Sequence, residues 1–271
     1  MHLAILQMAR FDLEFVRKTL AKMPPHALIL FPEYVLTPFF LELLESDTLK
    51  IHQHALARLE QLQELASKHQ QHLIAPLILQ ESSGLIKQMA WVSPTQTQFY
   101  PQQKLIHFSH WDEESFFANS KTEGHAPLIV ELEDLRIAPL FGYELHFDRI
   151  WLDMHQKGVD VVLLSTASTF ESSERWRTLC QARAFCNSML IARANRIGSV
   201  RQAYYPKHSP QKHNIAWNFY GDSFMALPNG QIGDSLQGDL GVLHLEVSKD
   251  YLDAWAQEWG FRKPNIRREH D

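Results

Sequence analysis

Apolar residues recur along this chain at two spacings, and the change from one to the other marks the elements. Runs that are apolar throughout or alternate read as strands: His2–Met8, Ala27–Phe31, Leu73–Leu79, Ile86–Val92, Pro127–Glu131, Leu135–Phe141, Val159–Leu164, Met189–Ala194 and Gly241–Val247. Between them the period lengthens toward that of a helix. Phe11–Met23 carries Leu13, Val16 and Leu20 and is stopped by Pro24–Pro25, while Thr48–Lys68 aligns Leu49, Leu56, Leu59, Leu62 and Leu65 on one face. Leu145 to Lys157 and Ser173–Cys186 read as two more helices. Ser82–Ser83–Gly84 suits a hairpin, Pro228–Asn229–Gly230 reverses the chain after the strand-like Ala216–Leu227, and Gly198–His213 reads as a basic, tyrosine-containing loop. Tyr251 to Asp271 reads as a helix and an aromatic arm, with Trp255, Trp259 and Phe261, of the kind that packs on a neighbouring subunit. No repeat with a period of about 20 to 50 residues is evident, and the pattern predicts one α/β domain over residues 1–271.

Composition narrows what such a domain can do. A hydrophobic fraction of 45% with seven Trp and sixteen Phe fits a packed globular core. The net charge of −5, with the C-terminal pairs Arg262–Lys263 and Arg267–Arg268 the nearest approach to a basic block, argues against a nucleic-acid partner. No apolar run reaches membrane-spanning length and the Met1 end enters a strand at once, so neither a membrane nor a signal peptide is expected. Cys180 and Cys186 lie six apart in a helical pattern, a poor geometry for a disulfide, and a reduced, cytoplasmic setting is expected. The fifteen histidines are scattered without metal-ligand spacing, and no metal or cofactor is expected.

The chemistry is expected around Leu135–Trp151, where a strand ends at Phe141 and a turn at Gly142–Tyr143 leads into a helix. Free N–H groups at such a turn favour developing negative charge, and a nucleophile belongs there. The residue present is glycine, which has no side chain to attack with. Glu33 follows the strand Ala27–Phe31, as a strand-end acid would, or as a loop carboxylate would. Lys104 lies between Gln102–Gln103 and Leu105–Ile106, readable as a surface lysine or as a cation oriented by buried carboxylates. His107 to Gly124 is a long polar-aromatic loop with Trp111, Glu113, Glu114, Phe116 and Phe117, a type more often functional than structural.

Glu33 in LFPEY, Lys104 in YPQQKLIHF and FGYELHF at 141–147, followed by WRTLCQARAFCN, Gly221–Asp222–Ser223 and Pro228–Asn229–Gly230, together resemble the nitrilase, or carbon–nitrogen hydrolase, superfamily over nearly the whole chain. The resemblance implies a four-layer α-β-β-α sandwich that forms a homodimer or higher homo-oligomer. It implies a cysteine nucleophile that attacks a small amide or nitrile, a glutamate base and a lysine, with water resolving the thioester. On this chain it assigns the base to Glu33, the cation to Lys104, the second acid to Glu113 or Glu114, and the nucleophile position to Gly142. The substrate pocket falls to Tyr143, Glu144 and His146 at the turn, Thr166 and Ala167 at a strand end, and Trp176 and Arg183 on the following helix. His107 to Gly124, Ser168 to Ser173 and the Tyr204–Tyr205 loop would set the substrate, with Arg175, Arg177 and Lys207 as carboxylate partners or plain surface charges.

The chain departs from the family at Gly142, and again at Cys186, where the family usually has glutamate. Three readings follow: a nucleophile knockout of a working amidase-type hydrolase, a natural pseudoenzyme that still binds a small molecule or serves a structural role, and catalysis by Cys180 or Cys186. An enzyme parent predicts a closed pocket in which Glu33, Lys104 and Glu113 or Glu114 converge on the Gly142 backbone; a scaffold predicts one partly filled by bulky side chains such as Phe116, Phe117 or Phe141.

Overall fold

The computed structural model describes residues 1–119, 126–204 and 213–259. Parallel pairing with intervening helices builds two six-stranded mixed sheets. In chain order the elements are β1 His2–Gln7, α1 Leu13–Leu20, β2 Leu28–Leu30, α2 Thr48–His69, β3 His72–Glu81, β4 Gly84–Val92 and β5 Thr97–Pro101. There follow the short β6 His107–Phe108 and β7 Trp111–Asp112, then β8 Val130–Leu132, β9 Leu135–Phe141, α3 Asp148–Gln156, β10 Val161–Thr166, α4 Ser173–Asn187 and β11 Leu190–Asn195. The last are β12 Ile197–Tyr204, β13 His213–Tyr220, β14 Phe224–Ala226, β15 Ile232–Ser235, β16 Gly241–Glu246 and α5 Lys249–Trp259. One sheet runs β16-β1-β2-β3-β4-β5, the other β15-β14-β11-β10-β9-β8.

Strand alternation sorts the side chains into layers. Leu3, Ile5, Leu28, Leu30, Ile137, Phe141 and Leu163 lie in the layer between the sheets. Their neighbours Ala4, Leu6 and Ile29 turn outward to meet α1 and α2, and Ala138, Leu140, Val162 and Leu164 turn outward to meet α3 and α4. The result is the expected α-β-β-α sandwich.

Several local expectations are revised. On α2 the buried face is Ile51, Ala55, Leu59, Leu62, Leu65 and Ala66, and Leu49 and Leu56 point to solvent. The stretch expected as a loop from Gly198 is strand β12, paired antiparallel with β13. The strand expected over Ala216–Leu227, with a bulge or turn at Gly221, does divide there, into β13 and β14, and the Gly221 φ of +75° suits glycine. Tyr205, Lys207 and the basic pairs beyond Phe261 lie outside the described residues. No helix among the described residues is long and apolar enough to cross a membrane.

Candidate active site

The C-terminal ends of β2, β9 and β10 meet across the two sheets, joined where Glu33 N–H donates to Thr166 O at 3.2 Å. Glu33 lies just beyond β2 and is 6% exposed. Its Oε2 is 2.6 Å from Lys87 Nζ, and the same ammonium is 2.7 Å from Glu113 Oε1. The lysine between the two acids is thus Lys87, not the expected Lys104. Lys87 sits within β4 and, by the two-residue period, shares a face with Met89 and Trp91 of the inter-sheet layer. Asn119 fixes it there, accepting Lys87 N–H at 2.9 Å and donating to Lys87 O at 2.7 Å. A lysine repeating in phase with the core residues Met89 and Trp91 of a mostly apolar strand was the sequence signal for it.

Lys104 lies elsewhere. Its Nζ is 5.4 Å from the Phe147 ring centroid, in a separate shallow cavity that also holds Glu114. Of the two adjacent acids Glu113 is the buried one: it also accepts from the Tyr34 hydroxyl, and from Ile106 N–H at 3.2 Å. Glu114 faces His107 at 3.5 Å.

Electrostatics at the trio follow from burial. Burial raises the Glu33 carboxyl above the usual carboxylate range, against the pull of Lys87. Burial alone would lower the Lys87 ammonium, but Glu113 and Glu33 outweigh it and hold it above its ordinary value. Two carboxylates around one ammonium carry a formal charge of −1 when both are ionised.

Gly142 is buried, and its N–H donates to Glu33 Oε1 at 3.3 Å. A Cβ there would lie 2.8 Å from Thr166 Cγ2, 3.3 Å from Trp176 Cη2 and 3.4 Å from Glu33 Oε1. The Thr166 side chain is tied through its hydroxyl to Ala194 O at 3.0 Å and Asn195 Oδ1 at 2.8 Å. Above Gly142 opens a cavity of about 580 Å³. Tyr143, His146, Thr166, Ala167 and Trp176 line it as expected, with Glu33 and Gly142 at its base. The long loop adds Phe108, His110 and Trp111, the segment after β10 adds Ser168 to Ser172, and Arg175 lies exposed at the mouth. The cavity is not filled by phenylalanines: Phe116 and Phe117 pack beside Tyr34 and Phe40, and Phe141 belongs to the inter-sheet layer.

Three expected contacts turn away from the cavity. Glu144 is fully buried, accepting Phe141 N–H at 3.0 Å, Gln103 N–H at 2.6 Å and the Tyr100 hydroxyl at 3.2 Å. It staples the turn to the β5–β6 connection, and burial pushes its carboxyl up to about 7. Arg183 bonds Leu145 O and pairs with Asp148 on α3. Arg177 forms a bidentate pair with Asp222, so it is not a plain surface charge.

Neither cysteine lines the cavity. Cys180 is packed in the layer outside β9 and β10, where burial pushes its thiol up to about 12, and Cys186 is exposed on α4. No cysteine stands near the Glu33–Lys87 pair, so the site has no thiol to attack with. Among the described residues no cluster of acids, histidines and cysteines is arranged to hold a metal.

A family model described as carbon-nitrogen hydrolase matches residues 8–257. The chain is similar to omega-amidase YafV of Escherichia coli K12, 26% identical over 193 residues that cover 68% of this chain and 67% of that protein. Its fold is similar to that of a carbon-nitrogen hydrolase from Helicobacter pylori G27, with a TM-score of 0.78 and 16% identity over 96% of this chain and 94% of the other. It is also similar to a cysteine-to-alanine mutant of the amidase from Nesterenkonia sp. AN1 in complex with butyramide, with a TM-score of 0.73 and 18% identity over 96% and 95% of the two chains.

Proposed function

The chain belongs to the carbon-nitrogen hydrolase family, and from that premise we propose that it is a hydrolytically silent member that holds a small molecule without covalent chemistry. The observation that carries this reading is Gly142. It stands at the nucleophile position, 3.3 Å through its N–H from Glu33, with the base, the ammonium and the second acid in place around it. In this reading Glu33 is the vestigial base, Lys87 the cation that would have faced the developing charge, and Glu113 the acid that positions Lys87.

A bound water does not replace the thiol. Glu33 Oε2 is committed to Lys87 and Oε1 receives the Gly142 N–H, so the carboxylate is poorly placed to strip a proton from water. Loss of a covalent nucleophile typically costs on the order of a million-fold in rate. The packing around Gly142 favours a natural pseudoenzyme over a simple knockout, because the Thr166 methyl group occupies space that a cysteine Cβ needs. The open cavity favours retained binding over a purely structural role.

The test uses the chain as it stands, with butyramide, short ω-amides, carbamoyl amides and nitriles. Thermal stabilisation by at least one of them, without ammonia release above the protein-free blank, is expected. Ammonia release that tracks protein concentration and disappears in Glu33→Gln overturns the reading.

A further inference from the structure

The cavity wall is a continuous collar of rings. Phe170 meets His110 (centroids 5.9 Å apart), His110 stacks on Phe108 (5.8 Å), Phe108 meets Tyr143 (5.9 Å), Tyr143 meets His146 (5.7 Å) and His146 meets Trp176 (5.5 Å). All six residues line the cavity. Phe108 and Phe170 are 47% and 52% exposed, large apolar rings held at the mouth. Phe170 is held there with φ at +61°, a left-handed backbone that bulky residues rarely adopt. The base of the collar is a carboxylate. Among the described residues Glu33 Oε1 receives one long hydrogen bond, from Gly142, and Lys87 and Glu113 stand behind Glu33 without lining the cavity.

We propose that this cavity is a site for a small organic cation, a protonated amine or amidine whose charged head meets Glu33 Oε1 while its body is held by the ring collar. The proposal rests on the reading that the pocket binds without covalent chemistry, and it names the class of ligand. Ring faces attract a cation within about 6 Å of their centroids and gain most where water is excluded. A carboxylate at the base sets the sign of the head group, since an anion would meet Glu33 directly and a neutral amide would leave its charge uncompensated. The buried trio carries one carboxylate more than it has ammonium groups, so a ligand cation completes the charge balance. The cationic Arg175, exposed at the outer mouth on the first turn of α4, shares the cavity rim with the acidic Glu171 of the preceding loop.

Calorimetric titration at neutral pH with butylammonium, butyramide and butyrate changes the head group and keeps the body. Butylammonium is expected to bind at least tenfold more tightly than butyramide, and butyrate not measurably. Glu33→Gln should cost butylammonium tenfold or more and butyramide less than threefold. Should that buried substitution unfold the chain, Phe170→Ala and Phe108→Ala at the exposed rim carry the test, each weakening butylammonium several-fold. Butyramide binding as tightly as butylammonium overturns the cation assignment and leaves the non-covalent pocket standing. Binding by none of the three overturns both. Butylammonium binding that survives Glu33→Gln and both rim substitutions in folded protein places the cation elsewhere and overturns the assignment.

Discussion

Gly142→Cys is expected to destabilise the fold unless Thr166 is trimmed with it. The new Cβ would sit 2.8 Å from Thr166 Cγ2, where carbon atoms ordinarily rest about 3.5 to 4.0 Å apart. Thr166 cannot swing its methyl away without losing its hydroxyl contacts to Ala194 O and Asn195 Oδ1, at 3.0 and 2.8 Å. Trp176 and Glu33 close the other sides. Overpacking of this kind costs about 1 to 3 kcal/mol. Removing glycine's freedom from the unfolded chain returns about 0.4 to 1 kcal/mol, leaving a net loss of roughly 0 to 2.6 kcal/mol. Thr166→Ser alone keeps the hydroxyl and loses one buried methyl group, worth about 1 kcal/mol. The double variant should therefore be more stable than the sum of the singles predicts, by about 1 to 2 kcal/mol. Urea unfolding of the four proteins reads the cycle directly. A Gly142→Cys chain as stable as the parent, with effects additive to within about 0.5 kcal/mol, would refute the packing argument.

The buried trio predicts that Lys87→Met costs about 3 to 5 kcal/mol, because Glu33 and Glu113 then face each other unpaired, whereas Lys104→Met changes urea stability by less than about 1 kcal/mol; equal effects would contradict the placement of the lysine. Glu144, pushed up to about 7 by burial from an ordinary value of 4.5, binds a proton more readily folded than unfolded, so its contribution is fully present below about pH 4.5 and is lost as pH rises through about 7. The decline is on the order of 3 kcal/mol, and Glu144→Gln should flatten the stability profile between those values; parallel profiles for parent and variant would refute it. Iodoacetamide at pH 8 should label exposed Cys186 and spare Cys180, whose thiol stands near 12; peptide mass spectrometry showing prompt labelling of Cys180 in folded protein would contradict its burial.

The sandwich was legible because its strands carry their own signature. In Leu135–Phe141 and Val161–Thr166 alternate residues serve the inter-sheet layer and the helix layer, and both sets are apolar. Glu33 was legible as the carboxylate that ends such a run. Lys87 was hidden inside one: a strand of core residues masks a charge whose compensation comes from Glu33 and Glu113, 54 residues before and 26 after it. Lys104 drew attention because its loop is polar, and polar loops do not reveal which charge turns inward. Glu144 follows the cavity residue Tyr143 in sequence, yet a tight turn sends it into the interior instead, and Arg183 lies beyond Leu179, the last cavity residue on α4, where it turns to Asp148. β12 was obscured because Gly198, Ser199, Arg201 and Gln202 interrupt its apolar residues, whereas most of β13 fell within the expected strand Ala216–Leu227.

The central claim is that the absent thiol silences the chemistry while Glu33, Lys87 and Glu113 stay placed to support it. Its most direct test is the Gly142→Cys, Thr166→Ser double variant beside the unchanged chain, each mixed with butyramide and short ω-amides and followed by intact mass and by ammonia release. The account predicts an acyl-enzyme mass increment and ammonia from the double variant, both lost on adding Lys87→Met or Glu33→Gln, and neither from the unchanged chain. Ammonia from the unchanged chain, or a folded double variant that forms no adduct with any amide it binds, would contradict it.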